Sequence, residues 1–162
     1  MKLLVKKLDE KAIIPTKKRD TDEGYDIYSI EPKRLFKGTT TLIHTGISAM
    51  VLSDFEYFSK TNTWPVSGSN TQLEERQYWL QIEGRSGMAS KGVFPSGGIV
   101  DYGYTGEIAV MLVNCSSSDY YIKPGDKIAQ LIPRLHLNPE VVEVDSLGET
   151  DRGEKGFGSS GT

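Results

Sequence analysis

Short strand-like runs separated by turn residues make up most of this chain, and helical periodicity is almost absent. Residues 78–83 show the pattern most clearly, because apolar and polar side chains alternate there. The other strand-like runs are residues 2–8, 25–30, 39–52, 107–114, 128–132 and 141–144. A turn or two around 87–91 is the only segment with helical character. Many short strands with turns between them predict an all-β fold, a barrel or a sandwich, with at most one short helix.

Some of these runs carry finer expectations. Residues 39–52 form either one long strand or two strands with a break near Gly46. Residues 107–114 are apolar almost throughout, which is typical of a strand covered on both faces. Cys115 ends that run and is expected to be a buried small residue. Residues 123–126 read Lys-Pro-Gly-Asp, the pattern of a type II turn.

Length, charge and cysteine content limit the class of protein. The chain has 162 residues, enough for one domain with a real core, and its 37% hydrophobic and 25% charged residues are typical of a globular protein. A net charge of -3 gives no general attraction for nucleic acid. One cysteine excludes an internal disulfide, and no apolar stretch approaches the ~18 residues of a membrane span. We expect a soluble, cytoplasmic protein with neither nucleic acid nor membrane as a partner.

Two segments differ in composition from the rest. Residues 53–76 are polar but contain several aromatic residues, Trp64 among them, and are interpreted as an inserted surface segment. Its aromatic residues form either a small satellite core or a surface for a protein partner. Residues 149–162 are rich in glycine and serine and are expected to be a flexible C-terminal arm after a β domain of residues 1–148.

The arm has the composition of a phosphate-binding segment. Its glycines allow successive backbone N–H groups to converge on a phosphate, and Ser159 and Ser160 add hydroxyl donors. Arg152 offers a fork for phosphate oxygens, and Phe157 can close over a flat base. Residues 156–161 match G-x-G-x-x-G, but the helix that a dinucleotide-binding motif requires does not follow. Taken alone, the arm is equally compatible with a flexible linker.

Four upstream segments add candidate groups. Residues 84–92 place an Arg-Ser pair at the end of a strand, a reasonable anion site. Asp101 stands between glycines and tyrosines, where it is either a turn former or a general base. Asp26 begins a strand, and Gln130 is polar within an apolar run and needs a partner. His44 and His136 are expected to lie far from these segments and to have structural or surface roles.

Together the five segments resemble, in order, the five motifs of the trimeric dUTPase family. They are residues 22–26, 84–91, 98–106, 125–131 and 152–161. Three positions depart from the family pattern: Glu23 replaces a small residue, Val100 stands where Ile is commoner, and Lys127 replaces the usual Arg. The resemblance covers the chain apart from the inserted segment.

The resemblance implies a jelly-roll-like β-barrel of the dUTPase type, a homotrimer, and active sites shared between subunits. The implied reaction is hydrolysis of dUTP to dUMP and pyrophosphate with Mg²⁺, in which Asp101 activates the attacking water. Asp26 would support the metal through water, and Tyr104 would stack on the deoxyribose and leave no room for a 2′-hydroxyl. Phe157 would close over the base. The substrate-binding set implied by the family is Arg85, Ser86, Gly87, Ser96, Gly98, Ile99, Tyr104, Gln130, Arg152, Phe157, Gly158, Ser159 and Ser160.

Two alternatives remain open at this point. A dCTP deaminase shares the fold and the Arg-Ser segment, although it works through a glutamate-based site and does not need the pairing of Asp101 with Tyr104. A regulatory protein could instead use the dUTPase scaffold to bind a partner through residues 53–76.

Overall fold

The computed structural model describes residues 1–53, 76–150 and 153, and these are almost entirely β. The strands are β1 (Lys2–Lys7), β2 (Tyr25–Tyr28), β3 (Lys33–Leu35), β4 (Thr40–Ile43), β5 (Ile47–Leu52), β6 (Tyr78–Glu83), β7 (Val93–Ser96), β8 (Ile99–Val100), β9 (Val110–Asn114), β10 (Tyr120–Ile122) and β11 (Lys127–Leu135). In the same residues there is one four-residue helix, α1 (Ser86–Ala89). The expected all-β, jelly-roll-like architecture is confirmed. Most of the inserted segment and of the arm lies outside the described residues.

The strands form four small antiparallel sheets around one core. A four-stranded sheet has the order β2-β11-β6-β8, and a three-stranded sheet has the order β4-β9-β7. Two pairs, β1-β5 and β3-β10, complete the arrangement. The largest fully buried side chains come from most of the strands and include Ile27, Leu35, Ile43, Ile47, Leu80, Leu112, Ile128 and Leu131. The core is therefore built by the inward-facing residues of the strands, which alternate along each strand with outward-facing residues.

The structure decides between two interpretations of residues 39–52 and confirms the turn at 123–126. Residues 39–52 form two strands, β4 and β5, and Gly46 lies between them with a φ of 66°. Gly125 has a φ of 83°, as the third residue of a type II turn requires. Both positions adopt a left-handed conformation that glycine accepts without a steric penalty.

Three expectations are wrong. In β9, Val110, Leu112 and Asn114 point inward while Met111 is 44% exposed, so this strand is covered on one face and not on both. Cys115 is exposed, because the alternation that buries Asn114 turns the next residue outward. Residues 141–144 form no strand and are exposed.

The short strands β3, β7, β8 and β10 are absent from the sequence-based expectation, since each has at most four residues. In addition, β3 is mostly charged, β7 contains Pro95 and β8 follows Gly98. Within the described part of the chain, no helix is long and apolar enough to cross a membrane.

Candidate active site

One sheet carries four of the five motifs side by side. In β2, Asp26 pairs in register with Gln130 of β11, and Gln130 pairs on its other side with Glu83 of β6. Residues 84–91 follow β6 directly, and β8 leads into the segment around Asp101. Antiparallel pairing thus brings together residues that are about a hundred positions apart in the sequence.

Asp26 is the centre of the first group of functional side chains. Its Oδ1 accepts a hydrogen bond from Arg85 Nε at 2.9 Å, and its Oδ2 accepts one from Lys127 Nζ at 2.8 Å. Gln130 Nε2 lies 3.5 Å from Oδ1. Arg85 also donates from Nη1 to the carbonyl of Lys127 at 3.1 Å. The carboxylate therefore fixes two cationic side chains and the glutamine at one end of the sheet.

The electrostatics of this group favour an ionised Asp26. Burial alone would raise the pKa of Asp26, but the hydrogen bond from Lys127 and the positive charge of Arg85 outweigh burial and hold the pKa below its usual value. The same contact raises the pKa of Lys127. All three groups are charged at neutral pH, and the two cations give this end of the sheet an affinity for anions.

Close approach at Gly24 explains why a glycine precedes β2. A Cβ on Gly24 would lie 2.8 Å from the Cβ of Gln130, so any side chain there would displace the glutamine from Asp26. Ser86 and Gly87 begin α1 and are both exposed, beside Arg85. Arg85, Ser86, Gly87 and Gln130 are thus brought to one region, as expected for a set that binds phosphate oxygens.

Asp101 and Tyr104 belong to a second group, on the segment between β8 and β9. Both are exposed, and the N–H of Tyr104 donates to the carbonyl of Asp101 at 3.1 Å, which closes a turn. The Tyr104 hydroxyl donates to the carbonyl of Glu107 at 3.0 Å. A cavity of about 260 Å³ adjoins this segment. It is lined by Ile82, Ile99, Val100, Asp101, Tyr104, Glu107, Ile108 and Ala109. The cavity combines an apolar wall with one exposed carboxylate.

Gly98 lies in close contact with β6. Its carbonyl accepts a hydrogen bond from the N–H of Ile82 at 2.7 Å, and a Cβ at this position would overlap the carbonyl oxygen of Ile82. Ser96 ends β7, and Ile99, 70% exposed, begins β8. Of the expected base-reading residues 96–99, Ile99 lines the cavity that holds Asp101.

The structure does not bring the two groups together within one chain. In the β6-β8 pair, Val100 lies opposite Leu80, and Arg85 is five residues further along the direction of β6. At about 3.4 Å per residue, about 17 Å separates the level of Val100 from that of Arg85 along the strand direction. Asp101 continues β8 away from Arg85. Arg152, Phe157, Gly158, Ser159 and Ser160 lie outside the described residues.

The expectation that both histidines lie far from the motifs is wrong. His44 Nδ1 contacts Glu107 Oε2 at 2.9 Å, and the ring of His136 stacks on Tyr102 with 5.7 Å between ring centroids. Both histidines therefore border the segment that carries Asp101. The sequence did not indicate these contacts, because both histidines lie outside the motifs. Glu107, the partner of His44, directly follows the third motif and was not among the candidate residues.

Asp26 fits a metal-supporting role only through water. Both of its oxygens accept hydrogen bonds from cationic side chains, so a directly bound Mg²⁺ would have to displace Arg85 or Lys127. Oδ2, which accepts from Lys127, can still accept a further hydrogen bond from a water molecule. Among the residues that the structure describes, no group of three His, Cys, Asp or Glu side chains forms a metal cage, as is common for Mg²⁺ bound largely through substrate phosphates.

Comparisons with known proteins agree with this geometry. The family model dUTPase matches residues 60–161. A deoxyuridine 5′-triphosphate nucleotidohydrolase of Clostridium novyi (strain NT) is 39% identical over 164 residues and 99% of each chain is covered. One of Arabidopsis thaliana is also 39% identical, over 97% of this chain and 81% of the relative. The solved dUTPase of Staphylococcus bacteriophage 80alpha with dUpNHpp is 26% identical over 99% of each chain, with a TM-score of 0.78. Four motifs on one sheet, a full-length likeness in sequence and the same fold place this chain in the dUTPase family.

Proposed function

We propose that this chain hydrolyses dUTP to dUMP and pyrophosphate, with Asp101 as the general base. The observation that carries the proposal is the placement of Asp101, an exposed carboxyl group that lines a cavity together with Tyr104 and five aliphatic residues. A carboxylate in this position can accept a proton from a water molecule. That water attacks the α-phosphorus, and the bond to the bridging oxygen of pyrophosphate breaks.

Tyr104 selects the sugar in this mechanism. Its hydroxyl is tethered to the carbonyl of Glu107, and its ring lies against Gly106, where a Cβ would collide with the hydroxyl oxygen. A ring held in this way offers a flat face to the deoxyribose and resists the displacement that a 2′-hydroxyl would demand. The uracil base enters beside residues 96–99, where backbone groups hydrogen-bond its edge.

The cluster around Asp26 binds the phosphates. Arg85 and Gln130 are held by Asp26, and Ser86 and Gly87 present a hydroxyl and a backbone N–H beside Arg85. Prearranged donors need little reorganisation as charge develops on the phosphate oxygens. When bound, Mg²⁺ neutralises the triphosphate and favours one of its conformers, and Asp26 supports it through water.

The separation of the two groups supports a homotrimer with shared active sites. Asp101 and Tyr104 lie too far from Arg85 within one chain to act on one triphosphate, so a neighbouring subunit must supply one of the two groups. Residues 149–162 act as an arm that covers the assembled site, with Phe157 over the base and Arg152, Gly158, Ser159 and Ser160 on the phosphates.

A regulatory role is a second candidate for the inserted segment, residues 53–76. The bacteriophage 80alpha dUTPase is described as controlling the transfer of virulence genes by a G protein-like mechanism. We propose that the inserted segment of this chain offers a protein-binding surface in addition to the enzymatic site. A chain with residues 54–75 replaced by a short Gly-Ser linker should keep its dUTPase activity and lose that partner.

Pyrophosphate release with dUTP, dCTP, dTTP and UTP, each with and without Mg²⁺, tests the enzymatic proposal. We expect turnover of dUTP with Mg²⁺ and little turnover of the other three. Asp101→Asn should fold and bind dUpNHpp but lose turnover by a factor of about 10² to 10⁴. Ammonia release from dCTP would support the deaminase alternative, and near-normal turnover by Asp101→Asn would remove the general base from Asp101.

A further inference from the structure

We propose that Glu107 and His44 form a positioning pair that fixes the segment bearing Asp101 and Tyr104. This inference rests on the proposed roles of those two residues. Glu107 itself touches no reacting atom in this scheme, because its carboxylate is turned away toward the connection between β4 and β5. It acts on the reaction through Tyr104 and through the course of the backbone between residues 101 and 107.

Both carboxylate oxygens of Glu107 are used to hold that connection. Oε1 accepts a hydrogen bond from the N–H of Gly46 at 2.9 Å, and Oε2 lies 2.9 Å from His44 Nδ1. Gly46 in turn is fixed from the other side, because its carbonyl accepts the N–H of Leu8 at 2.7 Å. The carboxylate is therefore attached to a rigid part of the fold rather than to a free loop.

The main chain of Glu107 connects this anchor to the substrate pocket. Its carbonyl accepts the Tyr104 hydroxyl at 3.0 Å, so the side chain of Glu107 fixes one element and its backbone fixes the tyrosine. Asp101 is linked to the same unit, since its carbonyl accepts the N–H of Tyr104 at 3.1 Å. A displacement of Glu107 would consequently move both proposed functional residues.

Other hydrogen bonds hold the C-terminal end of this segment and do not involve the side chain of Glu107. The Ser48 hydroxyl donates to the carbonyl of Thr105 at 2.8 Å, and the N–H of Ile108 donates to the carbonyl of Ile47 at 2.8 Å. Thr45 also donates from its hydroxyl to the carbonyl of Ile108. These bonds would keep the strand connection in place without the Glu107 carboxylate. Loss of that carboxylate should therefore perturb the pocket more than the fold.

The charges around the pair favour an ionised Glu107. Burial would raise the pKa of Glu107, but the N–H of Gly46 and the imidazole of His44 lower the pKa by a greater amount. Glu31 also approaches, with Oε1 3.4 Å from the N–H of His44, and Lys33 is 3.5 Å from Glu31. The side chains of Glu107 and His44 are 30% and 45% exposed, so neither is a core residue kept only for packing.

The experiment compares Glu107→Ala, Glu107→Gln and His44→Ala with the unaltered full-length chain. Kinetics with dUTP and UTP at saturating Mg²⁺ give kcat and KM for each substrate, and thermal unfolding reports the fold. Glutamine is the conservative variant, because its Oε1 can accept the N–H of Gly46 and its Nε2 can donate to a neutral imidazole Nδ1.

We expect Glu107→Ala to lower kcat/KM for dUTP by about tenfold to a hundredfold, the cost of misplacing groups by a fraction of an ångström to an ångström. Discrimination against UTP should fall at the same time, because the tyrosine that excludes the 2′-hydroxyl loses its support. Glu107→Gln should recover most of both losses, because its amide can keep the bond to the N–H of Gly46 and still reach the imidazole of His44. His44→Ala should show a smaller loss, because the bond to Gly46 remains.

Unchanged discrimination and kcat/KM in a folded Glu107→Ala would overturn the proposal and leave Glu107 a structural residue. If Glu107→Ala does not fold, His44→Ala decides the matter: normal kinetics for both substrates in that variant contradict the pair. Failure of the proposed function would look different, since the unaltered chain would then not hydrolyse dUTP or Asp101→Asn would remain active.

Discussion

Arg85 Nε donates to Oδ1 of Asp26 over 2.9 Å, although the two residues are 59 positions apart in the sequence. The contact ties the first motif of the family to the second, and Lys127 of the fourth motif holds the other oxygen of the same carboxylate. The proposed phosphate-binding end of the sheet is thus organised by one acidic residue that need not bind the substrate directly.

Lys127 stands where the family usually has arginine, and in the structure its side chain binds the carboxylate of Asp26. Replacing it by methionine keeps much of the length but removes the charge and the hydrogen bond to Asp26. We expect Lys127→Met to lower kcat/KM for dUTP by about tenfold. Without Lys127 the carboxylate of Asp26 is held less firmly, and Asp26 then positions Arg85 and Gln130 less well.

The matched control is Lys127→Arg, which restores the family residue and the charge and should retain activity within about threefold of the unaltered chain. Steady-state kinetics on both variants make the comparison. Equal activity in the methionine and arginine variants would show that Lys127 does not support the site.

The depressed pKa of Asp26 predicts a loss of stability in acid. Because the folded state holds this pKa below that of the unfolded chain, the stabilisation is fully present above about pH 4 and disappears as the pH falls through the lower folded pKa. Glu107 and Asp119 also have lowered pKa values and contribute in the same direction.

The comparison of the unaltered chain with Asp26→Asn isolates the share of Asp26. Urea unfolding of both proteins between pH 7 and pH 3 should give a difference in unfolding free energy that is largest at neutral pH and shrinks below about pH 4. A difference that stays constant across this range would contradict an ionised, stabilising Asp26.

The sequence predicted the fold class and most of the long strands, because alternation and turn residues are local signals. It predicted the turn at Gly125 for the same reason, and it offered the break at Gly46 as one of two alternatives. It missed the outward orientation of Cys115, because a continuous apolar run does not show which of its residues face inward. In the structure Asn114 faces inward, held by hydrogen bonds to the carbonyls of Leu35 and Ser118, and so Cys115 faces outward.

Candidate site residues were recognised in the sequence as separate motifs, but their partners were not. Nothing in the sequence around Asp26 indicates that Lys127 pairs with it. Nothing around Glu107 indicates that its carboxylate accepts the N–H of Gly46. Such contacts arise from strand pairing between distant segments. A single-sequence pattern contains the residue types and not the register that brings them together.

Gly98 should be intolerant of any side chain. A Cβ there would overlap the carbonyl oxygen of Ile82, so alanine must push β8 away from β6 and disturb the Val100–Leu80 pairing. We expect Gly98→Ala to lower the free energy of unfolding by about 2 kcal/mol or more. Gly87 is the matched control, because no atom lies within 4 Å of a Cβ built there and alanine suits a helix better than glycine. Urea unfolding of the two variants checks the difference, and equal stability would refute the close approach.

Mixing two inactive variants tests whether the Asp101 and Arg85 groups act across a subunit boundary. Asp101→Asn lacks the base, and Arg85→Ala lacks a phosphate donor; each alone should be nearly inactive. The register of β6 and β8 separates the two positions within one chain. In the proposed trimer with shared sites, an intact site combines Asp101 of one subunit with Arg85 of another. After joint unfolding and refolding in equal amounts, random assembly should restore about a quarter of the sites. Mixing without refolding is the control and should restore little if subunits exchange slowly. No recovery after refolding, with trimers formed normally, would mean that each subunit builds its own site.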